Sequence, residues 1–314
     1  MAVLELVFAG SLWGFGFVAA IWALQAWGPM TVSALRFALA LTVGYAICWF
    51  SPELRKSLSW KNMRLTFVPG CLLSATLLFQ TWGLQYTSAT KSGFITCFYV
   101  LMVPVLERLW LKRQLPRFHF LFVLIALLGL ALICDLASLW LPHVSAQNLK
   151  AQHETNYGAR VELNIGDLLT LLCAIAASGH ILWFTFIHEK IESSFAFNIS
   201  QTTWALIPAS LFACFERQPS WAQVGPLPIA GLCALAFGST LIAFALQIRA
   251  QKELSPSLAS LLFLLESPFG TFFAFVILGE RLRWDQWSGA ALILIAVIAT
   301  TLLHQIPVAS PPPE

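Results

Sequence analysis

The amino-acid sequence predicts an all-α integral membrane protein: ten transmembrane helices arranged as two inverted five-helix repeats (5+5). Three observations lead there. Apolar residues make up 58% of the chain and charged residues 11%, where soluble domains hold about 45–50% and about 25%. So few charges could not cover so much apolar surface in water. Apolar runs close to the ~20 residues that cross a bilayer recur ten times between polar or Gly/Pro breaks. The order of features in the first five runs then returns in the last five.

The runs are 4–23, 32–50, 65–84, 92–110, 119–140, 167–187, 198–215, 228–248, 257–277 and 286–304. The first, in MAVLELVFAG, has no basic leader and no small-residue cleavage site, so it reads as a span and not a signal peptide. Its Gly10 and Gly14 form a GxxxG helix-packing pattern. Most connections are short, which makes neighbouring helices antiparallel. The longest, 141–166, separates a first repeat (1–140) from a second (167–304), and 305–314 is a polar, proline-rich cytoplasmic tail. The linker's His143, His153 and Glu154 lack a metal-ligand spacing, and a solvated extracytoplasmic loop is the expectation; no metal or cofactor is expected. The seven cysteines form no CxxC pair and read as small packing residues. NIS at 198–200 matches a glycosylation sequon but opens a span on the inner side, which discounts it.

Lys and Arg in the loops set orientation. With the N-terminus inside, cytoplasmic loops hold eleven and outer loops six, and the excess comes from the first half. Both termini are therefore expected in the cytoplasm. Trp27, Trp60, Trp140, Trp221 and Trp284 fall near the expected interfaces, as belt anchors do.

PGCLLSATLLFQTWGLQY (69–86) pairs with AGLCALAFGSTLIAFALQI (230–248), each opening on a Gly and closing on Leu-Gln. TKSGFITCFYVLMVP ends at Pro104 and LSPSLASLLFLLESP at Pro268, each about two-thirds along its span. Five is odd, so a second copy sits upside down. Inverted repeats with Pro-interrupted helices at matching places point to a secondary transporter with a site near the midplane. A proline frees a carbonyl that needs a protein or aqueous partner at that depth. Either both helices face a cavity, or Ser and Thr side chains satisfy a packed kink.

Several polar residues lie inside the spans. Glu266, near the centre of span nine, costs at least ~2.5–3.5 kcal/mol to insert and so faces a cavity or a partner. It is either a proton or substrate-amine site or a helix clamp. An offset of 164 residues sets the apolar Met102 against it, so the site is asymmetric. Arg36 either anchors span two or binds a substrate carboxylate. Lys91 opens span four, where a cation opposes the helix dipole, and either attracts anions or snorkels. His180 is a proton relay or a satisfied core histidine. Gln247 and Gln251, flanking Arg249, suggest an inner polar gate. Glu280 is expected in an ion pair with Arg281 or Arg283. Trp13, Trp82 and Trp183 lie deep enough to wall a pocket, although packing is the commoner role for each.

The segments GSLWGFGFVAAIWALQAWGPMTVSALRFALAL (10–41), GLQYTSATKSGFITCFYVLMVPVLE (83–107) and LQIRAQKELSPSLASLLFLLESPFGTFFAFVILGERLRWDQWSGAALILIAV (246–297) together resemble the drug/metabolite transporter (DMT) superfamily, EamA type. The likeness covers nearly all of 4–304. It implies a ten-helix carrier in the inner membrane of the cell that moves small metabolites, amino acids among them, often outward, by alternating access. One departure is LKRQL (111–115) where the second repeat has LGERL (278–282). The expected partners are a small-molecule substrate, the lipid bilayer and, as an open option, a second copy in a homodimer; nucleic acid is not expected. A membrane-embedded enzyme is disfavoured by the lack of HExxH, GxSxG and P-loop patterns. A receptor would leave Glu266 unexplained.

Overall fold

The computed structural model of the chain describes residues 1–83, 85–86, 92, 95–112, 117–133, 164–217, 224–279 and 283–304. Regular structure among these residues is helical throughout. In chain order the helices are α1 (Ala2–Leu24), α2 (Pro29–Phe50), α3 (Pro52–Ser57), α4 (Trp60–Leu65), α5 (Phe67–Gly83), α6 (Tyr99–Trp110) and α7 (Arg117–Ile133). They continue with α8 (Ile165–Ile187), α9 (Ser194–Ala213), α10 (Pro226–Cys233), a π-helix (Ala234–Ala243), α11 (Phe244–Ala250), α12 (Pro256–Phe263), α13 (Glu266–Leu278) and α14 (Trp284–His304).

Local chemistry sets these boundaries. Proline occupies the first turn of α2, α3, α10 and α12, where a missing N–H costs no hydrogen bond. Ser51 and Ser255 cap α3 and α12, and Asn164 with Asp167 forms a reciprocal capping box at α8. Gly279 ends α13 with a positive φ of 70°. Among the described residues six stretches are long and apolar enough to cross a membrane: α1, α2, Ile165–Lys190, Pro226–Ala250, Pro256–Leu278 and Trp284–Leu303. The α7 segment Phe118–Leu132 is apolar but shorter. With 20 residues α9 is long enough, but its polar run Asn198–Thr203 keeps it out of the apolar set. This is an all-helical, multi-pass membrane protein.

The principal packing joins segments from opposite sides of the 141–166 connection. α1 lies against α10, the π-helix and α13, while α8 lies against α5 and α6. α2 packs on α9, α7 on α14, and α6 on α12. The GxxxG pattern makes one of the close backbone approaches among them. A Cβ on Gly14 would sit 2.6 Å from the backbone nitrogen of Gly270, so only glycine lets α1 meet α13 there. That contact fixes the first turn of α13, which begins with Glu266.

The spans that hold Pro104 and Pro268 change their hydrogen bonding upstream of the proline. Pro268 cannot donate to Leu264, so the ladder tightens instead: Leu264 N–H bonds to Leu261 O at 3.2 Å, Leu265 N–H to Leu262 O at 3.1 Å and Ser267 N–H to Leu264 O at 3.1 Å. Upstream of Pro104, Phe98 N–H bonds to Ile95 O at 3.1 Å and Leu101 N–H to Phe98 O at 3.0 Å. The Leu264 carbonyl that Pro268 leaves without a partner is thus taken up by Ser267 N–H of the same span. The break falls before Glu266, not at Pro268 itself.

The tryptophans divide. Trp60 and Trp284 are exposed, but Trp27 is 2% exposed and belongs to a core with Ala23, Val32 and Leu235, so it is no belt residue. Trp140, Trp221, Glu280, Arg281 and most of the 141–166 linker lie outside the described residues. Arg283 pairs with Asp285 at 2.6 Å.

Candidate functional site

Several polar residues inside the spans converge on one cavity of about 150 Å³. Its wall is built by both halves of the chain: Trp13 from α1, Arg36 from α2, Gln80 from α5, His180 from α8, Ser239 from the π-helix and Glu266 from α13. An apolar cavity of that size accommodates a molecule such as benzene. Phe244 and Phe263 close on Trp13 edge to face, each with ring centroids 5.4 Å away. The Trp13 indole N–H is buried and has no hydrogen-bond partner among the described residues.

Arg36 is the strongest electrostatic feature. It is 6% exposed. Its Nε donates to Thr240 Oγ1 and its Nη2 to Ser239 Oγ, both at 2.9 Å. Both acceptors are hydroxyls of the π-helix. Among the described residues no carboxylate lies within ion-pair distance of Arg36. Removing a guanidinium from water costs several kcal/mol unless a counter-charge is supplied, and here the side of the site open to a ligand is the cavity.

The π-helix explains how those hydroxyls come to face Arg36. The wider i→i+5 turn is rare, and where it occurs it often marks a functional site. Asn198 Nδ2 donates to Thr240 O at 2.9 Å and Leu241 O at 3.1 Å, Gln201 Nε2 to Asn198 Oδ1 at 3.0 Å, and His180 Nε2 lies 3.0 Å from Gln201 Oε1. Sequence reading missed Asn198, Gln201, Ser239 and Thr240. The available signal was the i, i+3 spacing of Asn198 and Gln201, which puts both amides on one face of α9.

At one end, α11 carries Gln247, which lines the cavity and bonds Gln251 at 3.0 Å; Gln251 in turn reaches Ile181 O at 3.4 Å. Beyond them Arg249 grips Glu5. The fully buried Glu107 of α6 accepts from the Ser257 amide at 3.0 Å and from its hydroxyl, capping α12. Toward the other end, Thr81 borders both the cavity and a second pocket formed by Gln25, Trp27, Gly28 and Gln85. There the Glu216 carboxylate caps α2, accepting from Met30 N–H at 3.0 Å and Thr31 N–H at 2.8 Å.

Of the residues singled out in the sequence, Glu266, Arg36, His180, Trp13 and Gln247 therefore share the cavity. Trp82 and Trp183 do not line it; each is 36% exposed, turned outward by the packing of α5 against α8. Pro104 is buried in α6, and Pro268 lies in the first turn of α13. Lys91 lies outside the described residues. Among the described residues no cluster of His, Cys, Asp or Glu is arranged to hold a metal.

Comparison with known proteins gives this architecture relatives. An uncharacterized transporter of Archaeoglobus fulgidus is 27% identical over 301 residues, spanning 96% of this chain and 86% of the relative. The uncharacterized transporter YyaM of Bacillus subtilis is 23% identical over 289 residues, 89% of this chain and 86% of the relative. A solved crystal structure, 19% identical and covering 96% of both chains, superposes with a TM-score of 0.73 and shares the fold. The profile of the EamA-like transporter family matches residues 1–134 and 164–302. The chain belongs to the EamA-like transporter family, within the DMT superfamily.

Proposed function

We propose that the protein is a secondary active transporter of small metabolites such as amino acids, built of ten spans in two inverted five-helix repeats and working by alternating access. Arg36 carries this reading: a buried guanidinium without a carboxylate partner among the described residues, on the wall of a cavity that both halves enclose. Substrate carboxylate supplies the missing charge, with the Trp13 indole N–H as a second donor. Glu266, in the same cavity, receives the substrate ammonium or exchanges a proton during the cycle. Helices in all ten apolar runs, the cross-packing of opposite halves and the matched tight turns before Pro104 and Pro268 support the 5+5 arrangement.

In this reading the protein sits in the inner membrane with both termini in the cytoplasm. The end tied by Glu5–Arg249 and Glu107–Ser257 is cytoplasmic and closed, and the route past Thr81 leads outward. Release on the cytoplasmic side requires both ties to part as α1 and α6 move against the second half. Nothing in the cavity resembles a nucleophile and base in contact, so the enzymatic alternative gains no support.

Counterflow tests this directly. Proteoliposomes preloaded with unlabelled amino acids should take up the same labelled compound above protein-free controls. Folded protein that exchanges nothing across a broad panel of amino acids and small carboxylates would sink the proposal.

A further inference from the structure

The buried chain from His180 to the π-helix has a hydrogen-bond direction that can be read from its far end. Asn198 Nδ2 contacts two backbone carbonyls, Thr240 O at 2.9 Å and Leu241 O at 3.1 Å. Carbonyls only accept, so the amide nitrogen of Asn198 must face them and Oδ1 must face Gln201. Oδ1 carries no hydrogen, and the Gln201 atom 3.0 Å from it is therefore Nε2. This leaves Gln201 Oε1 against His180 Nε2 at 3.0 Å. An amide oxygen again accepts only, so the proton sits on Nε2. In the neutral ring the lone pair is then on Nδ1.

Free imidazole exchanges between two tautomers, and a cavity histidine without partners does the same. Here Asn198 and Gln201 are fully buried, so water does not compete for their bonds, and reversing the chain would aim an oxygen at two carbonyls. His180 borders the cavity while its Nε2 is held by Gln201. The ring nitrogen left to serve a ligand is Nδ1.

We propose that Asn198 and Gln201 are positioning residues that hold His180 as the Nε2–H tautomer, so that Nδ1 accepts a hydrogen bond from a donor group on the substrate. The inference rests on the cavity being the substrate site. Combined with the donors Arg36 and Trp13, it narrows the substrate class to small carboxylates bearing a neighbouring ammonium or hydroxyl: 2-amino and 2-hydroxy acids. A plain carboxylate of equal size would satisfy Arg36 but leave Nδ1 without a donor, and a site built for a hydrogen bond rejects a ligand that lacks it. The cavity of about 150 Å³ suits molecules the size of alanine.

The test uses the full chain in nanodiscs with ¹⁵N-labelled histidine. It is run at about pH 8.5, roughly two units above the ordinary imidazole pKa. His180→Asn identifies the resonance among the six histidines. Wild type should show the Nε2–H tautomer. Gln201→Leu, or Gln201→Met if the first does not fold, should admit the Nδ1–H form. An Nδ1–H ring in wild type, or unchanged tautomers in the apolar variants, overturns the positioning role.

Alanine, lactate and propionate are then added at millimolar concentration. Alanine and lactate should move the His180 Nδ1 resonance and propionate should not. A response to propionate equal to theirs, or no response to any of the three, overturns the assignment of Nδ1 as a substrate acceptor. In counterflow the preference for alanine over propionate should fall about tenfold in the apolar Gln201 variants, the size of one hydrogen bond. Wrong tautomers with active counterflow defeat only this inference. Correct tautomers with counterflow silent on a broad panel defeat the transporter reading instead.

Discussion

Arg249 and Arg36 lie about the cavity in opposite circumstances. Arg249, 56% exposed, holds Glu5 with two hydrogen bonds, one of 2.8 Å. Arg36 is buried and has only hydroxyl partners among the described residues. An exposed pair of the first kind contributes about 0–1 kcal/mol, whereas a buried, uncompensated cation costs several. The contrast separates two uses of one side chain. Arg249 fastens α11 to α1 at little expense, so the contact can break and re-form. Arg36 is kept at a cost to the empty protein, which makes sense where a ligand completes the charge.

That contrast can be broken at either end. The largest effect is expected from Arg36→Met: counterflow should fall about 100-fold, the loss of a charged hydrogen bond to substrate. Thermal stability without substrate should hold or rise, because an apolar residue of similar volume removes the desolvation cost. A marked loss of stability instead would make Arg36 a scaffold residue. Glu266→Gln keeps the shape of the cavity but removes its ionisable carboxyl. It should abolish stimulation by a pH gradient while preserving exchange, as paired uptake assays with and without the gradient would reveal.

Smaller effects are expected at the end tied by Glu5 and Glu107. Glu107→Ala leaves the Ser257 amide without its acceptor and should cost about 1–3 kcal/mol in thermal or denaturant unfolding. Glu5→Gln should cost less than about 1 kcal/mol, and raised salt should erase most of the difference from wild type. If Glu5→Gln proved the more damaging of the two, the exposed pair would be structural and the contrast with Arg36 would dissolve.

Much of this was legible in the chain. The apolar runs and the GxxxG of α1 are local or periodic features, and most of the described helices fall within a few residues of the expected runs. Glu266, Arg36 and His180 stood out because an ionisable group inside an apolar run is conspicuous whatever surrounds it. Neighbouring tryptophans were harder. Trp13 and Trp82 both fall inside apolar runs, yet one walls the cavity and the other faces outward. The runs are apolar on every side, so nothing in their pattern marks an inward face.

The sequence by itself determined that the chain crosses a membrane, where its helices run and which charges they carry into it, since these follow from hydropathy, length and residue type. Only the tertiary structure decided which residues meet. In a bilayer the surroundings of a helix are as apolar as its partners, so its rotation is set by close packing and by polar groups seeking one another. The approach of Gly14 to Gly270 brings α1 beside the turn that starts with Glu266. The Asn198 amide, spanning two carbonyls of a π-helix, links α9 to the hydroxyls that hold Arg36. The ten-residue π-helix is equally invisible in the sequence, because no residue in ALAFGSTLIA demands the wider turn when read alone.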